Sequence, residues 1–283
     1  MGADLGEFLR ARRARVLPTD VGLDDGFRRR RVPGLRREEV AELAGVSVDY
    51  YMRLEQGRTP NPSVSVLDAV ARALHLDHDE RHHLYDLARR PAVLKEDDPK
   101  ADGDIDEVMH RLLTSLADQP ALVLTPAMTV AAANAAADVL FGPLAAVGGN
   151  MLRYAFTDAT ARARTPNWED VAVEAVASLH VQAARYPFDE DLHDLVEELS
   201  AGSADFARLW ARHDARERGT TTVNVVHPDV GVVSLTNLWL SPPASPRRTL
   251  VVYTVKPGSP SATRLDRLLG KKGRPEDGAP GRP

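Results

Sequence analysis

The chain has 283 residues, 43% of them hydrophobic, and a formal net charge of −5 at pH 7. The length suggests two domains with enough apolar side chains to fill their cores, and the acidic balance excludes a general nucleic-acid coat, so any DNA contact must rest on a local basic patch. Cysteine is absent, which excludes disulfides, thiolate metal sites and cysteine nucleophiles.

No apolar run is long enough to span a bilayer, and the charged N-terminus lacks a signal-peptide pattern, so a cytoplasmic protein without a membrane partner is expected. A first helix is predicted from Asp4 to Ala14, with Leu5, Phe8 and Leu9 on its inner face. The polar connection VLPTDVGLDDGFRRRRVPG follows. Arg28, Arg29, Arg30 and Arg31, with Arg36 and Arg37, put six arginines without an acid into ten residues. Such a run releases counterions from phosphates or enters a narrow minor groove; a solvated loop is the alternative.

The stretch LRREEVAELAGVSVDYYMRLEQGRTPN reads as two short helices around a Gly-Val turn, the helix-turn-helix that sets a recognition helix in the DNA major groove. Ala41 falls where the helices cross, and Gly45 falls in the turn, where a positive φ is cheap only without a Cβ. Val46 caps the small core, and the Ser47 hydroxyl is placed to accept from the next helix start. Val40, Ala44, Tyr51 and Leu54 complete an apolar set at helical spacing. Val48, Asp49, Tyr50, Arg53 and Gln56 are left facing outward.

A fourth helix is expected from Asn61-Pro62-Ser63, with Pro62 in its first turn and Val64, Leu67, Val70, Ala71 and Leu74 as its stripe. A fifth, from Asp79 to Arg89, is expected to bury Leu84 and Leu87. His75, His78, His82 and His83 lack an accompanying H-E-x-x-H pattern, so they read as solvated surface rather than as metal ligands.

Residues 1 to 90 resemble the XRE (lambda-repressor-like) DNA-binding domain, through LRARRARV, RRRRVPGLRREEVAELAGVSVDYYMRLEQGR and NPSVSVLDAVARAL. The resemblance implies an all-α five-helix domain on double-stranded DNA, with the motif at 37–56. It places Arg37 on the DNA backbone and Ser47, Val48 and Asp49 at base-reading positions, with Arg53 one turn further on. Arg53 is the candidate for bidentate guanine readout, and Asp49 either accepts from a cytosine amino group or favours the helix N-terminus. Tyr50 and the loop residue Arg58 are candidates for phosphate contacts. Val48 and Asp49 depart from a Gln-rich reading face, which leaves the operator sequence open.

Beyond Pro91 the composition shifts to KEDDPKADGDIDE, read as an acidic linker over 91–104. A helix is then expected over Ile105–Leu116, followed by strands Ala121–Thr125 and Thr129–Asn134 about a Pro126-Ala127-Met128 turn. Helices are expected over Ala135–Phe141, Met151–Phe156, Trp168–Tyr186, Asp189–Ser200 and Ala204–Arg216. Three strands, Thr221–His227, Gly231–Leu240 and Thr249–Val255, and a helix Pro260–Leu269 close a domain at 105–269. A Gly/Pro-rich, charged tail at 270–283 is expected to be disordered. The order fits an α+β domain with a five-stranded antiparallel sheet and helices on one face.

That second domain resembles the PAS-like ligand-binding domain of the MmyB-like regulators. The resemblance is carried by QPALVLTPAMTVAAANAAADVLFG, NMLRYAF, NWEDVAVEAVASLH, LWARHDARERG, VVHPDVGVVSL and LVVYTVKPGSPSATRL. It implies a small hydrophobic ligand, a fatty acid or a similar metabolite, in a mostly apolar pocket. Candidate lining residues are Leu124, Met151, Phe156 and Val176, then Leu179, Trp210, Val225, Leu235 and Tyr253, with Arg153 or His213 to meet a carboxylate. Ordinary core is the competing reading for each apolar member.

Enzyme motifs do not emerge: the chain lacks a G-x-S-x-G elbow, a G-x-x-x-x-G-K-[ST] loop and a G-x-G-x-x-G fingerprint. His213, Asp214 and Glu217 form a helical i, i+4 set that reads as structural. No catalytic residue, metal site or cofactor is expected. The reading is a homodimeric, sequence-specific transcription regulator controlled by a hydrophobic ligand. Two alternatives keep the DNA-binding part and make the second domain either a dimerisation and protein-interaction module or an enzyme acting on small molecules.

Overall fold

Apolar spacing governs the first part of the chain. In the computed structural model, residues 2–23, 33–59, 61–88, 107–146, 148–216, 220–242 and 245–270 are described. Five helices come first: α1 (Gly2–Arg15), α2 (Arg37–Ala44), α3 (Val48–Glu55), α4 (Val64–Ala73) and α5 (His78–Ala88). Leu5, Phe8 and Leu9 of α1 meet Val40, Tyr51, Leu54, Leu67, Val70 and Leu84 in one core. Each such side chain contributes about 1.5–3 kcal/mol relative to exposure. Leu87 is only half-buried at the edge of this core. The arginine run Arg28–Arg31, the acidic linker and the tail after Gly270 lie outside the described residues.

The start of α4 and the surroundings of His83 differ from the sequence expectation. Helix α4 begins at Val64, because the Ser63 hydroxyl accepts from the Val66 N–H and so serves as the cap. Asn61, at φ 49°, and Pro62 therefore lie before the helix rather than in its first turn. His83 corrects the reading of the histidines as a solvated set: it is 3% exposed, against the Phe8 ring.

The second part opens with α6 (Glu107–Ser115), β1 (Ala121–Leu124) and β2 (Val130–Ala133). Helices α7 (Ala135–Phe141), α8 (Met151–Thr157), the unforeseen single turn α9 (Ala161–Arg164), α10 (Trp168–Arg185), α11 (Glu190–Gly202) and α12 (Ala204–Trp210) follow. The strands β3 (Thr221–His227), β4 (Gly231–Leu240) and β5 (Thr249–Thr254) and the helix α13 (Pro260–Leu268) complete the order. The sheet runs β2-β1-β5-β4-β3 with every pairing antiparallel. Buried Asn134 ties its start together. Its Oδ1 accepts from the Ala121 and Ala137 N–H groups at 3.1 and 3.0 Å, and its Nδ2 donates to the Leu116 and Gln119 carbonyls at 2.9 Å.

Spatially the described residues form two compact units that do not follow chain order: those within 1–97 with those within 174–217, and those within 98–173 with those within 218–283. The sequence boundaries 105–269 keep residues 174–217 with the sheet, whereas in space they group with the N-terminal helices. Val181 of α10 and Ala215 accordingly join the N-terminal core. Helix α12 stops at Trp210 instead of continuing to Arg216. His213 turns left-handed at φ 49°, and its carbonyl, released from helical pairing, accepts from the Arg12 guanidinium. The helical set of His213, Asp214 and Glu217 expected from spacing is thereby dissolved, and Glu217 itself lies outside the described residues. Among the described residues no helix is long and apolar enough to cross a membrane.

Candidate functional site

The turn between α2 and α3 is built as its residues require. Gly45 adopts φ 66° and donates to the Ala41 and Glu42 carbonyls, while the Val46 N–H bonds the Ala41 carbonyl at 2.9 Å. A Cβ on Gly45 would touch nothing, so the backbone angle alone demands glycine. Ser47 then accepts from the Tyr50 N–H at 3.1 Å, which starts α3. Its hydroxyl is thus committed to capping. The other expected base-reading positions, Val48 and Asp49, are exposed, as are Arg53, Gln56 and Arg58, and Tyr50 is half-buried.

Asp49 and Arg53 do not act independently. Separated by one helical turn, they pair at 3.0 Å across the outer face of α3. The pair is exposed, so it adds little stability; in it the guanidinium lies against the Asp49 carboxylate.

Behind that face lies a group that periodicity did not reveal. Glu55, at the end of α3, is fully buried and accepts from Arg13 Nη2 and Arg37 Nε, each at 2.9 Å. The Glu55 carboxylate raises the Arg37 pKa, through the hydrogen bond first and charge second. Arg37, expected on the DNA backbone, is therefore anchored on the recognition helix while remaining partly exposed. Arg36 is half-buried, its N–H donating to Glu39 at 2.6 Å. Gly6 of α1 approaches the end of α3 so closely that a Cβ would collide with the Glu55 carbonyl.

The residues expected to line a ligand pocket fall into two groups. Leu124, Met151, Arg153, Phe156, Val225, Leu235 and Tyr253 belong to the unit that carries the sheet, and Val176, Leu179, Trp210 and His213 to the other. In the sheet unit Leu124, Val225, Leu235 and Tyr253 are buried, Met151 and Phe156 are half-buried, and Arg153 is exposed. Tyr253 meets the Phe141 ring edge-on at 4.8 Å, and Phe156 meets Trp168 at 5.5 Å. Trp168 donates to the Ala155 carbonyl at 2.8 Å and carries the Arg162 guanidinium on its face at 3.7 Å.

In the helical unit, His180 stacks on Trp210 with ring centroids 3.6 Å apart and bonds the Trp210 carbonyl through Nε2 at 2.9 Å. His83, from α5, and His213 lie beside it, at centroid distances of 6.5 and 5.3 Å. Burial lowers the His83 pKa to about 3, with His180, Arg12 and His213 adding to the effect. Burial also lowers His180 to about 4, against the hydrogen bond to Trp210. Neither buried histidine of this cluster could have been found from spacing, since 97 residues of chain separate them. Among the described residues no group of three or more His, Cys, Asp or Glu is placed to hold a metal.

Two family models match the chain. One describes a helix-turn-helix domain and covers residues 4–84. The other describes the ligand-binding domain of MmyB-like transcription regulators and covers residues 105–269. No curated protein sequence matches. The exposed outer face of α3, the five-stranded antiparallel sheet and these two matches agree, and the chain belongs to the MmyB-like transcription regulators, ligand-responsive proteins that bind DNA through a helix-turn-helix.

Proposed function

We propose that this protein is a cytoplasmic one-component regulator that binds its operator as a homodimer and answers to a hydrophobic, fatty-acid-like ligand. The observation that carries the DNA-binding half is the outer face of α3, where Val48, Asp49, Arg53 and Gln56 are exposed around a capped helix start. Arg53 reads guanine, Val48 offers an apolar contact to a thymine methyl group, and Asp49 orients Arg53 while accepting from a cytosine amino group. Arg37, Arg58 and Tyr50 bear on phosphates, with Arg28, Arg29, Arg30, Arg31 and Arg36 supplying counterion release. Such contacts position the helix and carry no sequence information themselves.

Arg53→Ala is expected to cost about 1–3 kcal/mol at one base pair. Asp49→Ala is expected to relax preference at that same base pair while leaving nonspecific binding intact. Operator footprints from the protein's own promoter region, followed by single-base variants, measure both. If Asp49→Ala changes preference at a base pair that Arg53→Ala does not touch, the orienting role is lost.

The ligand half is supported by the family match over residues 105–269 and by the apolar groups around Leu124, Leu235, Tyr253 and Phe156. Control then operates by population shift, which requires different ligand affinity in the DNA-bound and free arrangements. Lipid extraction of the purified protein with mass spectrometry tests the ligand class. A reproducible absence of bound acyl chains would leave the second domain as a dimerisation and interaction module.

A further inference from the structure

The helical unit contains a cavity of about 290 Å³ that none of the DNA-reading residues use. Phe8 of α1 and His83 of α5 form one wall, and His180, Trp210 and Val196 of α10–α12 form another. Its volume lies just below the roughly 300–1,000 Å³ range of drug-sized ligand sites, which suits a smaller ligand. We propose that this cavity binds a small planar aromatic amine or amidinium, a ligand class distinct from acyl chains.

Three observations point there. Rings make up part of the walls beside aliphatic side chains: Phe8 meets His83 edge-on at 5.0 Å, and His180 stacks on Trp210, behind which Phe206 lies at 5.7 Å. Flat rings recognise flat ligands; the Phe8 face already carries the Arg12 guanidinium at 5.0 Å, so the preference for a donor rests on the acids and imidazoles of the walls. The polar groups on the walls are imidazoles and the carboxylates of Glu7 and Asp86, which face His213 at 3.7 Å and Arg185 at 3.8 Å respectively. An anionic ligand would meet those two acids, whereas an N–H donor finds acceptors.

The third observation is an unmet need. His83 is 3% exposed, and its Nδ1 has no hydrogen-bond partner among the described residues. A buried polar atom without a partner costs about 1–3 kcal/mol, so its persistence calls for a reason. Neutral imidazole offers one donor and one acceptor, and rotation of the ring about χ2 exchanges the position of Nδ1. His180 donates its Nε2–H in a hydrogen bond to the Trp210 carbonyl, which in the neutral ring leaves Nδ1 as an acceptor. The charged and titratable groups around the pair include Glu7 and Arg12 of α1, Glu80 and Asp86 of α5, Arg185 of α10, His193 of α11, and His213 and Asp214 beyond α12. Arg12 is already engaged by Glu80, Asp214 and the His213 carbonyl.

The cavity walls come both from α1 and α5, within the helix-turn-helix match, and from α10–α12, within the ligand-binding match. Occupancy therefore bears on helices of both functional parts. The inference does not depend on the fatty-acid proposal, and a lipid-free protein leaves it standing.

Three probes of one shape separate the chemistry: benzamidine, benzamide and benzoate. Titrated calorimetrically into the full-length protein, benzamidine is expected to bind at least tenfold more tightly than benzamide, and benzoate not measurably. Ala184→Phe, which fills the cavity from α10, is expected to abolish benzamidine binding. His83→Leu is expected to weaken it at least tenfold, with thermal melts confirming that each variant is folded. Equal binding of all three probes, preference for benzoate, absence of benzamidine binding, or binding that survives in whichever variant folds would overturn the proposal.

Discussion

Replacing Arg12 with methionine is expected to destabilise the helical unit by about 3 kcal/mol, the lower end of what breaking a buried ion pair costs. The Arg12 side chain is 2% exposed and spends its fork on three partners. Nη1 donates to Glu80 at 2.6 Å, and Nη2 donates to the His213 carbonyl and reaches Asp214 at 3.4 Å. Burial lowers its pKa, and Glu80 works against that shift. Glu80 is itself held in place, accepting from the Asp77 N–H at 3.2 Å while its own N–H bonds Asp77 Oδ1 at 2.9 Å. Methionine would fill similar space over Phe8 but leave Glu80 and the His213 carbonyl short of a donor. Arg15, which also pairs with Asp214, offsets part of the loss. At roughly 2–4 °C per kcal/mol for a unit of this size, the first thermal transition should fall by about 6–12 °C. Arg12→Lys should recover only part of it, because a point charge does not reproduce the fork. A change under about 1 kcal/mol in urea unfolding would show that water satisfies these groups and that the clamp is weak.

The local parts of the fold were legible because each rests on nearby residues. Gly45 and Ser47 announced a turn and a cap that the backbone angles and the Tyr50 bond reproduce. Strands β3 and β4 and helix α7 match their expected limits, since Pro, Gly and Asn bound them. Periodicity says that a face is buried, not what buries it. Thus Val176, Leu179 and Trp210 were read as lining a sheet-domain pocket, whereas their compact unit is that of the N-terminal helices. Glu55 and His83 were missed for a related reason. A charged or titratable residue reads as surface unless its partners are known, and the partners of Glu55 are Arg13 and Arg37, 42 and 18 residues away. The reading face was the opposite case. Val48, Asp49, Arg53 and Gln56 stood out as the positions left over once the core was filled, and the structure adds only that Asp49 and Arg53 are paired.

Acid should loosen the helical unit well before ordinary carboxylates protonate. His83 and His180 are neutral in the fold, with pKa values lowered to about 3 and about 4, against about 6.5 in an unfolded chain. Below pH 6.5 the unfolded state binds protons that the folded state refuses, so stability rises with pH across this window and is lost as pH falls through it. Each histidine's contribution is fully present above pH 6.5 and falls by about 1.4 kcal/mol per pH unit between there and the folded value. Across two pH units the pair accounts for several kcal/mol, a large share of the stability of any single unit. Asp214 limits the effect by raising the His180 pKa, while Arg12 and His213 enhance it for both rings. Asp214, held below the ordinary carboxylate range, loses its charge at lower pH and adds to the fall there. Its contribution is removed by comparing wild type with His83→Leu, which retains it. Between pH 6.5 and 4.5 the wild-type unfolding free energy should fall faster than that of His83→Leu by about 1.4 kcal/mol per pH unit. Parallel slopes for the two proteins would mean that His83 is protonated in the folded state, with a counter-charge near it that desolvation alone does not supply.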